Sequence, residues 1–148
     1  MTNPDGTEIK IFKPDTTQTA VQGIPQFFGV SENSVGAKNL SLNVTVFGPS
    51  GRAKTHYHKD YETAIYTVSG RAALFWGDKL EHEGVLEPGC FCFIPGDVPH
   101  VAFNLSSSEN VMAITARNDA REQENVVLTP ELDTPELDAR IAEWQARA

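Results

Sequence analysis

Two imidazoles one residue apart, followed by a carboxylate, are the first side chains in this sequence that could do chemistry. They lie in THYHKDYE, residues 55–62, as His56, His58 and Glu62. On a β-strand, residues two apart project to the same side, so the two histidines meet on one face and Glu62 shares their parity. Imidazoles and a carboxylate converging on one point suit a divalent first-row metal ion. The intervening Lys59-Asp60 can interrupt a strand, so on this ground the histidines are firmer ligands than the glutamate. His100 opens a later apolar run, and closure of a barrel would bring it opposite the others. His82, in LEHEG, has no such company and reads as a bystander.

Strands are needed to position these groups, and the sequence supplies them. In NLSLNVTVF, residues 39–47, Leu40, Leu42, Val44 and Val46 alternate with Ser41, Asn43 and Thr45. That period of two predicts a strand that buries its apolar face. Gly48-Pro49-Ser50-Gly51 ends it. Thr63–Val68, Ala72–Trp76, Cys90–Ile94, His100–Asn104 and Val111–Ala116 follow as short apolar or β-branched runs with Gly/Pro turns between them. Such spacing indicates a sandwich or a barrel.

The two ends differ from this middle. Residues 1–39 form an irregular segment, punctuated by Pro4, Pro14, Gly23 and Pro25, with apolar patches at 9–12 and 27–30 that read as edge strands. Residues 40–117 carry the barrel, and 118–148 form a C-terminal extension. Within the extension a helix is predicted near 134–147, with Thr134 as N-cap and Pro135 at the first helical position. Leu137, Ile141 and Trp144 then share one face. Glu136 with Arg140, and Glu143 with Arg147, are spaced as i,i+4 pairs. A helix this short needs its apolar face docked, on the barrel or on a second subunit.

Bulk properties narrow the function. A chain of 148 residues makes one domain, and its 40% hydrophobic and 22% charged composition is that of a globular protein. A net charge of −8 repels nucleic acid phosphates and anionic membrane surfaces, so neither is an expected partner. No apolar run reaches the ~18 residues of a membrane span. The N-terminus lacks a signal-peptide pattern, and a cytoplasmic protein is expected. Cys90 and Cys92, two apart on one strand, are poorly placed to bridge each other and read as reduced thiols.

A second stretch, GCFCFIPGDVPHVAFN at 89–104, completes a pattern that resembles the cupin family. The family's first motif runs Gly, five residues, His-x-His, three or four residues, Glu, six residues, Gly. Here Gly51, His56, His58, Glu62 and Gly70 follow it, with both glycine spacings off by one. The second motif runs Gly, five residues, Pro-x-Gly, two residues, His, three residues, Asn. Gly89, Pro95, His100 and Asn104 match it, with Asp97 in place of the glycine.

The resemblance implies an all-β fold, a cupin-type double-stranded β-helix (jelly-roll barrel), to which the short C-terminal α-helix is added. It implies four metal ligands, His56, His58, Glu62 and His100, and one divalent metal ion per chain. Mn or Fe is favoured, and Ni, Zn, Co or Cu can bind such a set. It further implies a small-molecule substrate or ligand at an open metal position, and a homodimer. The expected activity is that of a metal-dependent enzyme, an oxidoreductase or dioxygenase acting on a small oxygenated substrate. A lyase, decarboxylase or isomerase, or a non-enzymatic ligand-binding cupin, are the alternatives. Tyr66, on the parity of Glu62, and Arg117, ending the last strand, are the candidate catalytic residues: Tyr66 donating to a metal-bound anion, Arg117 clamping a carboxylate. Arg52, beside Gly51, is a second arginine placed for that role.

Overall fold

The computed structural model describes residues 8–148. The strands, in chain order, are β1 Gln18–Thr19, β2 Pro25–Val30, β3 Ser41–Phe47, β4 His56–His58, β5 Thr63–Ser69 and β6 Ala72–Trp76. They continue with β7 His82–Leu86, β8 Phe91–Ile94, β9 His100–Asn104, β10 Val111–Arg117 and β11 Val126–Leu128. A one-turn helix, α1 at Glu32–Val35, interrupts the N-terminal part, and α2 at Pro135–Arg147 ends the chain. Two antiparallel sheets result. The six-stranded sheet has the order β1-β2-β3-β10-β5-β8, and the five-stranded sheet β11-β4-β9-β6-β7. All-β topology with a C-terminal helix is what the sequence predicted. Its 9–12 patch, by contrast, forms no regular strand, and Ile9 and Ile11 are almost wholly exposed.

The strand at 41–47 reverses the expected burial. Ser41, Asn43 and Thr45 are buried, while Leu42 faces outward and is 43% exposed. The interior of the six-stranded sheet is polar because it faces the site: β10 buries Thr115 and Arg117, and β5 buries Thr63 and Thr67. In register across β3, β10 and β5 stand Ser41, Arg117 and Thr63. An alternating pattern states that one face is buried, and the chemistry behind that face decides which.

The five-stranded sheet has apolar residues on both faces. Ala73, Phe75, Val101 and Phe103 point away from the barrel interior and are almost fully buried, because α2 covers them with Leu137 and Ile141. The helix starts as predicted: the Thr134 hydroxyl accepts from Leu137 N at 3.1 Å. Its arginines do not form the expected i,i+4 pairs. Arg140 instead reaches the sheet, donating to Leu80 O at 2.6 Å and to Glu83 at 2.9 Å with its guanidinium 3.7 Å from the Phe75 ring centre. Arg147 lies over Trp144. Among the described residues, no helix is long and apolar enough to cross a membrane.

Candidate metal centre

Antiparallel pairing of β4 with β9 sets His56 opposite His100, and the alternation along β4 puts His58 on the same inner face. The three rings cluster, with centroids 4.3 Å apart for His56 and His100, 4.7 Å for His58 and His100, and 5.1 Å for His56 and His58. One ring nitrogen from each lies within 4.8 Å of the others. The outer nitrogens are held. His56 Nδ1 is 2.7 Å from Lys54 O, and His100 Nδ1 is 2.9 Å from Val98 O. A carbonyl can only accept, so both Nδ1 atoms carry the proton and both Nε2 atoms keep a lone pair. His58 Nδ1 lies 2.9 Å from the Thr63 hydroxyl, and its Nε2 is buried with no partner.

Burial keeps these imidazoles neutral. It drives the His56 and His58 pKa values well below the ordinary histidine range, and His100 down to about 4. Neighbouring imidazoles add to the effect for His56 and His58, and the Arg117 guanidinium adds to it for all three. A buried lone pair without a donor costs free energy in proportion to its desolvation. Three neutral imidazoles with free Nε2 atoms form a donor set that a first-row divalent ion completes. The residues therefore fit a metal. They also line a cavity between the sheets that admits the centres of water-sized molecules over about 60 Å³.

The cupin domain family matches residues 43–116, half of the chain. This chain belongs to the cupin family. Its barrel is similar to a double-stranded β-helix protein of Klebsiella pneumoniae subsp. pneumoniae MGH 78578, with a TM-score of 0.63 at 15% identity, covering 82% of this chain and 98% of that one. It is similar to KdgF from Halomonas sp., with a TM-score of 0.58 at 17% identity, covering 73% and 89%. The oxalate decarboxylase of Lactobacillus farciminis, in its formate complex, gives 0.65 at 14% identity, over 84% of this chain but 37% of that one. At such identities the likeness shows the fold alone. No curated protein matches the sequence.

In this cupin the expected glutamate ligand is displaced. Glu62 is exposed and stands outside the histidine cluster; its main-chain N–H donates to Asn118 Oδ1 at 2.8 Å. Thr63 takes the inward position beside His58. The turn after β4 causes the change. Asp60 adopts a left-handed backbone, with φ of 61°, so the inward positions run His56, His58, then Tyr61, Thr63 and Ile65. Tyr61 stacks on His58 with ring centres 4.9 Å apart. The signal was present in the sequence: with six residues between it and Gly70, where the family pattern places its glutamate, stands Thr63. The substitution at Asp97 is well accommodated. Asp97 has φ of 64°, and its carboxylate accepts from Asp60 N at 3.1 Å while its own N–H donates to His58 O at 2.8 Å. Asn104 serves the loops, donating to Glu109 O and Gly48 O.

The candidate catalytic residues separate in the same way. Tyr66 shares the parity of Glu62 and so lies on the outer face, 38% exposed, against Phe91. It cannot reach the histidines through the sheet. Arg117 points inward, 6% exposed, and lines the cavity with the three histidines. Its partners are loose: Thr115 Oγ1 at 3.4 Å and Glu122 at 3.8 Å, with Nε unpaired. Arg52 is taken up by Asp133 and Asp138, outside the cavity. His82 stacks on Trp76 at the surface, as a bystander would.

Proposed function

We propose that this cupin is a metal-dependent oxidoreductase of the dioxygenase type, acting on a small substrate that carries a carboxylate beside an apolar body. One observation carries the reading: three Nε2 atoms converge in a cavity where Arg117 is the one lining cation among the described residues. His56, His58 and His100 would hold the ion. When bound, a redox-active divalent ion would supply a Lewis-acidic centre able to exchange electrons with dioxygen.

The chain's own residues supply the rest. With no carboxylate ligand among the described residues, three neutral imidazoles would leave the ion's double charge uncompensated, and Arg117, held only loosely by Glu122 at 3.8 Å, stands beside it, so the cavity favours an anion. The guanidinium has donors to spare for a bidentate grip on a carboxylate. Thr63 fixes the orientation of His58, and the two carbonyls fix the other rings. Phe47, Ile65, Leu74, Ile94 and Val111 wall the remainder with apolar surface. Loss of the glutamate also alters the metal preference. The oxygen ligand that favoured Mn is gone, and an all-imidazole set suits Fe, with Zn, Cu and Ni as rivals.

The lining favours this reading over a lyase or an isomerase. Those reactions need a base to move a proton. Among the described residues the cavity is lined by no aspartate, glutamate, lysine, cysteine or tyrosine, and its histidines would be taken up as ligands. The test is elemental analysis of protein purified without added metal, followed by oxygen electrode assays of the iron-loaded protein with short-chain carboxylates. Oxygen uptake dependent on both iron and substrate supports the reading. Turnover of a carboxylate without oxygen uptake would move the protein to the lyase class.

A further inference from the structure

The cavity holds one more polar side chain, which no sequence pattern marked. Gln22, in the loop between β1 and β2, is 1% exposed and lines the cavity together with Arg117 and the three histidines. Its loop is tied to the segment that carries the first of them. Gln22 O accepts from Lys54 N at 2.7 Å, and Lys54 O holds His56 Nδ1. A buried carboxamide has one accepting and one donating end, and its partners decide which end faces the cavity.

Those partners fix the amide in two steps. A carboxylate can only accept, and a main-chain N–H can only donate. Gln123 lies between one of each: its Nε2 donates to Glu122 Oε2 at 2.8 Å, and its Oε1 accepts from Val21 N at 2.8 Å. The Gln123 amide is therefore set in one orientation. Its Nε2 also lies 3.3 Å from Gln22 Oε1, which accepts. Gln22 Nε2 is left as the donating end, and it makes no hydrogen bond to any described residue.

Other hydroxyls in the lining are engaged or distant. Thr63 lies beside His58 Nδ1, Thr115 donates to Asn43 O at 3.3 Å, and Thr45 is 3.4 Å from the Thr115 hydroxyl. Thr67 stands four residues along β5 from Thr63, roughly 13 Å away. Near the histidines the cavity offers a charged donor on Arg117 and a neutral one on Gln22. Consecutive residues, Glu122 and Gln123, sit behind the two.

We propose that Gln22 is a specificity-determining residue, its Nε2 donating to the second oxygen of a short 2-oxo or 2-hydroxy acid whose carboxylate Arg117 holds. This rests on the carboxylate reading above and not on the oxygen chemistry. A neutral donor suits a neutral acceptor, and a plain alkyl acid would leave the amide buried and unpaired. Because consecutive residues hold both donors, the second oxygen belongs close to the carboxylate. Leu74, Ala102 and Val111 offer apolar wall to the alkyl end.

Calorimetric titration of the zinc-loaded full chain with pyruvate, lactate and propanoate tests it, since the three acids share a carbon skeleton and differ at the 2-oxygen. The wild type should prefer the two oxygenated acids. Gln22→Met, close in size, should lower that preference about tenfold by weakening pyruvate and lactate, with zinc content and melting temperature unchanged. Any advantage the ion itself gives an oxygenated acid is common to all variants and cancels in the comparison. Gln123→Met, outside the cavity lining, frees the Gln22 amide to turn over and should lower the preference in the same direction; it guards against a first variant that fails to fold. A wild type without preference, a preference unchanged in both variants, or equal weakening of all three acids would overturn the proposal and leave the carboxylate reading in place. Binding of none of the acids would remove the carboxylate reading and this proposal with it.

Discussion

Acid should weaken the metal-free protein sharply, and the three buried histidines set the size of the effect. In the native chain they stay neutral well below the ordinary range, with His100 titrating at about 4. In the unfolded chain each titrates near 6.5. Between these values the unfolded state binds more protons, so stability falls as pH drops through 6.5. It is flat above about pH 7.5, and the His100 contribution stops changing below about pH 4. At pH 5 each histidine that is neutral when folded and charged when unfolded costs ~2 kcal/mol. Three such groups cost ~6 kcal/mol, comparable with the whole stability of a small domain. Urea unfolding of the apoprotein, followed by Trp76 and Trp144 fluorescence at pH 7.5 and 5.0, measures it. His100→Gln should reduce the difference between the two pH values by ~2 kcal/mol. A wild-type difference under ~1 kcal/mol, or an equal difference in the variant, would refute the reasoning.

Other outcomes follow from the same geometry. His58→Ala and His100→Ala should each lose most bound metal in elemental analysis while keeping a cooperative melt, whereas Glu62→Gln and His82→Ala should retain it. Thr63→Val removes the hydroxyl beside His58 Nδ1 and should weaken metal binding by about 10–100-fold in a competition titration, with little change in fold. Arg117→Gln should raise KM for a carboxylate substrate far more than for its amide. Ile141→Ala, under the helix, should destabilise the protein by ~2–4 kcal/mol in urea, leaving metal content intact.

Much of this architecture could be read from the chain. The two histidine stretches carried the family pattern, the Gly/Pro turns marked the strands, and Thr134-Pro135 marked the helix start. What could not be read follows from parity. A β-strand has only two faces, so a single residue in a left-handed turn at Asp60 exchanges them along β5, the strand that follows. Glu62 and Tyr66 were placed inward, and Thr63 overlooked, for that one reason. The same ambiguity affected residues 41–47, where alternation was plain but the buried set was the polar one. Arg117 was placed by its position at a strand end, and its inward direction follows from pairing with Thr63 and Ser41, which no local pattern reveals.

The tail of the chain supports the first histidine. Asp133, just ahead of α2, accepts from the main-chain N–H and the hydroxyl of Thr55 and from Arg52, immediately upstream of His56. Cutting the polypeptide before Asp133 would therefore unhook the loop that aims this imidazole, although the cut lies far along the sequence. The same cut would remove α2 and bare the apolar face it seals, so metal binding and the core would fail together.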